Sequence, residues 1–332
     1  MPRTVLIALL SVGLTGCQTF GGLTDEEQDD LAQFQANAQA YYHGQRYDQA
    51  LDMVRKGLDI DAENYKLMSV AGWCYLQTAE RDRRRLREAE RYFDSVFAQR
   101  DPSDHEPHAL LGYAATKQRL GREHARLADT LRREAETRDL STTEQTIRTA
   151  RADEHSQRAR SYWSEAVRTL QQLIERQDLL RFAHKLLMET YVEIGDYEKA
   201  VEQGDLCLQQ NKTEQASENA RIRETPSVQV EQASRAMLRE LIDQEVRVRA
   251  ALAEMHFRRQ AYELAVEQLD ALLLIDPTRS TDYYNRADAL ERLGRSEEAR
   301  RDSEKFLGTT RLPSNDERVA HAHEFTRAVR GE

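Results

Sequence analysis

Proline and glycine are scarce in this chain, 6 and 14 of 332 residues, and 32% of the residues are charged. Few breakers and high charge suit long, solvated helices, and no segment carries the alternation of a β-strand. Aromatics make up only 7%. Long apolar runs are missing as well. The one run, Val5 to Leu14, is far shorter than the roughly 18 residues that span a bilayer. With a mean hydropathy of −0.78, a polytopic membrane protein is excluded. Cations are outnumbered, 48 Lys and Arg against 58 Asp and Glu, and the net charge of −10 argues against nucleic acid as a general partner. Catalytic signatures are also lacking: there is no Gly-x-Ser-x-Gly, no phosphate-cradling glycine loop and no His-Glu-x-x-His. His321 and His323 lie two apart, on opposite sides of a helix, and make a poor metal pair. Asp104 to His108 could hold a metal, but capping of the next helix by Asp104 explains the cluster more simply. No metal, cofactor or catalytic residue is therefore expected.

What is present is a phrase that returns. Gly44-Gln45-Arg46-Tyr47-Asp48-Gln49-Ala50-Leu51 is echoed by Gly195-Asp196-Tyr197-Glu198-Lys199-Ala200-Val201, by Gln260-Ala261-Tyr262-Glu263-Leu264-Ala265-Val266 and by Gly294-Arg295-Ser296-Glu297-Glu298-Ala299. Each copy stands between two helical patterns, and Gly44 is placed to permit the first turn. Ala50 falls where two antiparallel helices cross most closely, and Tyr47, Val54 and Leu58 share its apolar face. Equivalent second-helix alanines are Ala89, Ala166, Ala200, Ala265 and Ala299. First-helix counterparts of Ala38 include Gly72, Gly112, Met188, Ala253 and Ala287.

These residues resemble the tetratricopeptide repeat, in six copies from about Asp30 to about Leu307. The resemblance implies an all-α, right-handed solenoid of about six helix-turn-helix repeats, spanning residues 30–310, with a C-terminal capping helix in 311–332. A generic helical bundle is the alternative. Peptide-binding members of the family use the inner face of the first helices. Carried over repeat by repeat, that face is Tyr42, Trp73, Tyr113, Lys117, Lys185, Phe257, Arg258 and Tyr284. Aromatic sides with occasional cations suit an extended peptide or a partner helix. Packing between neighbouring first helices is the competing role, above all for Tyr42 and Tyr113.

Two segments break the repeat. Between Ala115 and Ala166 the spacing is far too long, and a helical hairpin over about 116–165 accounts for it. Leu120, Leu127 and Leu131 form its stripe, and Ser141-Thr142-Thr143-Glu144 has the spacing of a capping box for the second arm. About 20 extra residues per arm would project roughly 30 Å. An inert solvated spur and a docking arm are both open readings. The second insertion, about 211–235, is polar to Glu224 and turns at Thr225-Pro226-Ser227. A helix then follows, with Met237, Leu241, Val248, Leu252 and Met255 on one face. Asn315 is placed to cap the last helix.

The front end speaks to the compartment. Arg3, the apolar run and Leu14-Thr15-Gly16-Cys17 resemble the signal and lipobox of bacterial lipoproteins. That resemblance implies a signal peptide over 1–16 and a diacylglyceryl, palmitate-type modification on Cys17 as the first mature residue. Ordinary cleavage is the alternative, although no Ala-x-Ala-like pair stands near Cys17. In that family Asp after the Cys marks retention at the inner membrane, so with Gln18 the resemblance implies the outer membrane, facing the periplasm, over the inner membrane. Residues 17–29, rich in Asp and Glu, read as a tether, with placement at a helix N-terminus a compatible role for the acids. Cys74 and Cys207 read as small buried hydrophobes.

The resulting expectation is a non-catalytic, lipid-anchored scaffold that binds protein partners in an envelope assembly serving pilus, secretion, outer-membrane or cell-wall machinery. The alternatives are an accessory lipoprotein of polysaccharide synthesis or export, and an envelope hydrolase with an unrecognised site.

Overall fold

A computed structural model of the chain describes residues 23–80, 82–98, 106–137, 140–224 and 227–331. Cys17, the signal segment, Asp104, and the Thr225-Pro226 part of the second turn lie outside the described residues. Among those described there are thirteen helices and no strand. The chain divides into two compact units, residues 1–99 and 100–332.

The first unit contains α1 (Asp25–His43), α2 (Tyr47–Ile60), α3 (Tyr65–Thr78) and α4 (Arg83–Ala98). Each helix packs on the next, and α1 also touches α3, the arrangement of stacked helix-turn-helix pairs. The acidic run is not an extended tether throughout. Thr24 and Glu27 form a capping box, and Asp25, Glu26 and Glu27 make up the first turn of α1. Carboxylates there oppose the positive end of the helix dipole, so helix outcompetes linker from Asp25 onward. At the helix crossings, small residues let backbones approach. A Cβ on Gly57 would stand 2.3 Å from Leu67 Cδ1, and one on Gly72 would stand 2.8 Å from the fully buried Phe93 ring.

The second unit contains α5 (Pro107–Thr137), α6 (Thr142–Glu175), α7 (Leu180–Ile194), α8 (Tyr197–Glu224), α9 (Val228–Arg258), α10 (Tyr262–Ile275), α11 (Ser280–Arg292), α12 (Ser296–Thr309) and α13 (Glu317–Arg330). Again each helix packs on its successor, so this unit too is a stack of helix pairs. Across both units the six second-helix alanines at 50, 89, 166, 200, 265 and 299 are completely buried. Arg181, also buried, ties three helices together: it bonds Gln244 of α9, lies 2.9 Å from Glu214 of α8, and its carbonyl accepts from Cys207.

The turns correct one residue assignment. Gly44 has φ −77°, and the left-handed residue of that turn is Gln45, φ +58°. The same position, two before the start of the next helix, is Gly195 (φ +86°), Gln260 (φ +59°) and Gly294 (φ +73°). The register of the turn is thus set by its distance from Tyr47, not by where a glycine happens to stand.

Both insertions are helical arms. The 31 residues of α5 compare with 15 in α7, so about 16 residues, roughly 24 Å of helix, extend past an ordinary repeat. Ser141 and Glu144 complete the capping box of α6. The seam between the arms follows the leucine stripe only in part: Leu120 is buried and Leu131 half-buried, but Leu127 is 40% exposed. Small residues complete it: Gly121 and Ala128 of α5 with Ala152 and Ala159 of α6, all buried, let the helices close together. The second insertion lengthens two helices rather than one, because α8 continues unbroken to Glu224. Asn211 Nδ2 donates to the Leu241 carbonyl (2.9 Å), and Gln215 reaches Glu245 (2.9 Å), so this arm zips by polar contacts. Met237 is exposed; the seam runs through Ser234, Leu241 and Gln244. Finally, α13 covers Phe306 with Val319 and Ala322, and its cap is Asp316, whose carboxylate accepts from the Arg318 backbone, not Asn315.

Candidate functional site: the inner faces of the first helices

In the first unit the two aromatic residues of the inner face meet. The Tyr42 and Trp73 rings lie 6.5 Å apart at 52°, and both are partly exposed. Each is held from behind, Tyr42 by Tyr47 (5.9 Å) and Trp73 edge-on by Phe93 (6.2 Å). Burial pushes the Tyr42 phenol above its ordinary range, with a hydrogen bond to Gln77 working the other way. The result is a rigid aromatic ledge with a polar tip, a surface suited to apolar side chains of a partner.

The second unit treats its six positions differently. Lys117 does not face outward: it is 5% exposed, with its ammonium 3.4 Å from Glu165 and over the rings of Tyr113 (4.8 Å) and Tyr162 (5.4 Å). Lengthening α5 and α6 into an arm closes α6 over this position, and the cation is neutralised inside the seam. Tyr113 donates to the same Glu165 (3.3 Å) and so belongs to that cluster. Next in the seam, His124 is 4% exposed and its Nδ1 lies 2.8 Å from Nδ1 of His155.

The remaining four stay on the face. Lys185 pairs with Glu189 (2.6 Å), and Arg258 with Glu254 (2.7 Å) while reaching the Tyr197 hydroxyl (3.4 Å). Phe257 packs edge-on against Tyr262 (5.2 Å), with the Arg292 guanidinium over both rings (5.3 and 5.7 Å). Tyr284 rests on Phe306 (5.2 Å) and faces His321, which lies 3.6 Å from Glu291. Burial raises the Tyr284 phenol.

One regularity of this face is absent from the eight residues chosen by sequence. A carboxylate pairs with a cation one helical turn later at Lys185–Glu189 (reversed), Glu254–Arg258 and Asp288–Arg292. Arg292 follows Arg258 by 34 residues and Asp288 follows Glu254 by 34, the repeat length itself, so the period could have found them. Because each cation is already answered on its own helix, the wall offers balanced pairs rather than a charged clamp.

Among the described residues no group of three or more His, Cys, Asp or Glu gathers as a metal site. Cys74 and Cys207 are buried and free, and burial pushes their thiols up to about 12 and about 11, so both stay protonated and unreactive.

Comparison with known proteins gives a family match over one repeat: residues 283–309 match the model of the tetratricopeptide repeat. No curated protein matches the sequence. Solved structures with similar helix stacking include a tetratricopeptide repeat protein from Parabacteroides merdae, 15% identical, covering 92% of this chain and 88% of that one with a TM-score of 0.46. A chain of the APC/C hetero-tetramer Cut9–Hcn1 is 14% identical over 89% of this chain and 48% of that one, TM-score 0.37. The tetratricopeptide domain of P58(IPK) is 13% identical over 91% and 99%, TM-score 0.25. Residues 283–309 thus match a tetratricopeptide repeat, and the same helix pairing and buried alanines recur at the five other positions, an all-α stack of helix pairs.

Proposed function

We propose that this chain is a membrane-anchored scaffold of the bacterial envelope, tethered by lipid on Cys17 to the periplasmic face of the outer membrane, that holds protein partners of an assembly such as pilus, secretion, outer-membrane or cell-wall machinery. The tetratricopeptide fold is generally used for protein–protein interaction and is generally non-catalytic. The observation that carries the capture reading is the ledge of Tyr42 and Trp73, two partly exposed rings fixed from behind, with a comparable aromatic and ion-paired face at Phe257, Arg292 and Tyr284. The anchor reading is supported by Leu14-Thr15-Gly16-Cys17 after a short apolar run, and the outer-membrane destination by Gln18. Several acyl chains, at about 0.8 kcal/mol per buried methylene, hold a protein to a bilayer without further contacts.

Two experiments test the two parts separately. Cys17→Ala is expected to leave the precursor unprocessed and without labelled fatty acid; normal membrane fractionation without fatty-acid incorporation in the unaltered chain would remove the anchor. Trp73→Ala with Tyr284→Ala is expected to weaken partner capture at unchanged helicity; undiminished capture moves the site away from these faces.

A further inference from the structure

The start of α4 carries Arg83, Arg84, Arg85 and Arg87, four cations in five residues of a chain whose net charge is −10. The cluster arrives with the irregularity of the second repeat. From Ala38 to Ala50, and again from Ala253 to Ala265, the spacing is 12 residues, while from Gly72 to Ala89 it is 17.

Folding does not explain this placement. The N-terminus of a helix is its positive end, where carboxylates stabilise and cations oppose the dipole. Several helices follow this: α1 begins with Asp25, Glu26 and Glu27, α10 with Glu263, and α12 with Glu297 and Glu298. No acid stands in the first turn of α4, as in α3, α5 and α7, and its end is answered by a single carboxylate, Asp82, which accepts from the Arg84 backbone (3.0 Å) against four arginines. Nor are the charges consumed by partners. Arg85 lies 3.7 Å from Asp48, but the side chains of Arg84 and Arg87 are exposed and make no ion pair or hydrogen bond with the described residues.

Beside them, within the same unit, opens a cleft of about 480 Å³, within the usual range of ligand clefts. Arg46 and Arg85 supply cations to it, Gln49 and Thr78 supply uncharged hydrogen-bonding groups, and Asp48 and Asp82 stand among them.

We propose that this arginine edge is a second docking surface, for an acidic segment of a protein partner. A planar guanidinium donates two parallel hydrogen bonds to a carboxylate, and two free ones a turn apart match acidic side chains along a peptide. The interspersed Asp48 and Asp82 select against a uniformly anionic surface such as a bilayer or a nucleic acid, which would meet them as well as the arginines. A polypeptide can set its carboxylates against Arg84 and Arg87 and its backbone amides against Asp48, Asp82, Gln49 and Thr78. The inference goes beyond the inner-face reading and does not depend on the lipid anchor.

The test titrates fluorescein-labelled octaglutamate onto the full chain and onto Arg84→Glu/Arg87→Glu, at about 50 mM and about 300 mM salt, with phosphatidylglycerol vesicles in a parallel arm. The expected result is saturable binding at low salt, weakened about tenfold or more by the double substitution and also by salt. Helicity should be kept and Tm unchanged or higher, because Glu suits the first turn better than Arg. Equal affinity of the variant, or no saturable binding by the unaltered chain, overturns the proposal. Loss of helicity in the variant assigns the arginines to folding instead, and vesicles binding more tightly than the peptide assign the edge to a lipid surface.

Discussion

Gly121→Ala puts the arm of the second unit to a sharp test. A Cβ there would stand 2.4 Å from Nε1, 2.6 Å from Cδ1 and 2.9 Å from Cε2 of Trp163. Trp163 is 7% exposed and has the fully buried Ala159 and Ala166 one turn to either side on its own helix, so its ring has no open side into which to move. Overpacking of this kind costs about 1–3 kcal/mol. Against it stands the helix preference of Ala over Gly, about 1 kcal/mol. With contacts this short against a rigid ring the upper part of the range, about 2–3 kcal/mol, applies, and the net is a loss of about 1–2 kcal/mol. Gly308→Ala is the control, since nothing lies within 4 Å of a Cβ there and only the favourable part remains. The chain has two tryptophans, so a Trp73→Phe background leaves Trp163 as the sole reporter at the seam. In urea, with a slope of about 1–3 kcal/mol per M, the Trp163 transition should move down by about 0.3–1 M for Gly121→Ala and not fall for Gly308→Ala. An unchanged or raised midpoint for Gly121→Ala would mean that α5 and α6 do not close through this glycine, and the register of the arm would be wrong.

Three other outcomes are expected. Gln260→Gly should raise the thermal midpoint, by about 0.5–1 kcal/mol of stability, because φ is +59° there and a side chain opposes it; Gly44→Ala, with φ −77°, should bring no comparable change of backbone strain. His256 is 4% exposed, its Nδ1 is buried without a hydrogen-bond partner, and burial holds its imidazole below the ordinary range, with Asp205 pulling the other way. The unfolded chain therefore binds a proton that the folded chain refuses, so stability is lost as pH falls below about 6.5; His256→Gln should flatten that part of a melting-temperature profile, and an unchanged slope would acquit the residue. Replacing residues 122–160 by a short turn should leave a folded stack that still melts cooperatively, since Gly121 and Trp163 stay in place; aggregation would show that the arm is part of the core.

Much of this was legible in the sequence because the repeat imposes the same packing demand at each copy. Each second helix keeps one completely buried alanine where it packs on its neighbour, so the alanines at 50, 89, 166, 200, 265 and 299 marked every second helix. Ser141 and Glu144 likewise announced a helix start through a purely local bond pattern. What escaped were properties that depend on which neighbour arrives. Lys117 occupies an inner-face position by spacing, yet the lengthened α6 covers it and supplies Glu165. Leu127 belongs to a leucine stripe by spacing, yet the seam takes the narrower path through Gly121 and Ala128, where the helices come closer. Gly44 looked like the turn residue, but the chain needs its left-handed residue two before Tyr47, and Gln45 stands there. The pairing of Glu254 with Arg258 and of Asp288 with Arg292 was available in the period and was hidden only because charged residues are common in this chain.

The central claim, that the inner faces of the first helices hold a partner protein, is tested most directly by site-specific photo-crosslinking in cells. A photoreactive residue at Trp73 and, separately, at Tyr284 is compared with one at Leu274, an 86% exposed residue of a second helix. The account predicts one protein partner crosslinked from Trp73 and Tyr284 and not from Leu274. Crosslinks from Leu274 alone, or the same products from all three positions, would contradict it.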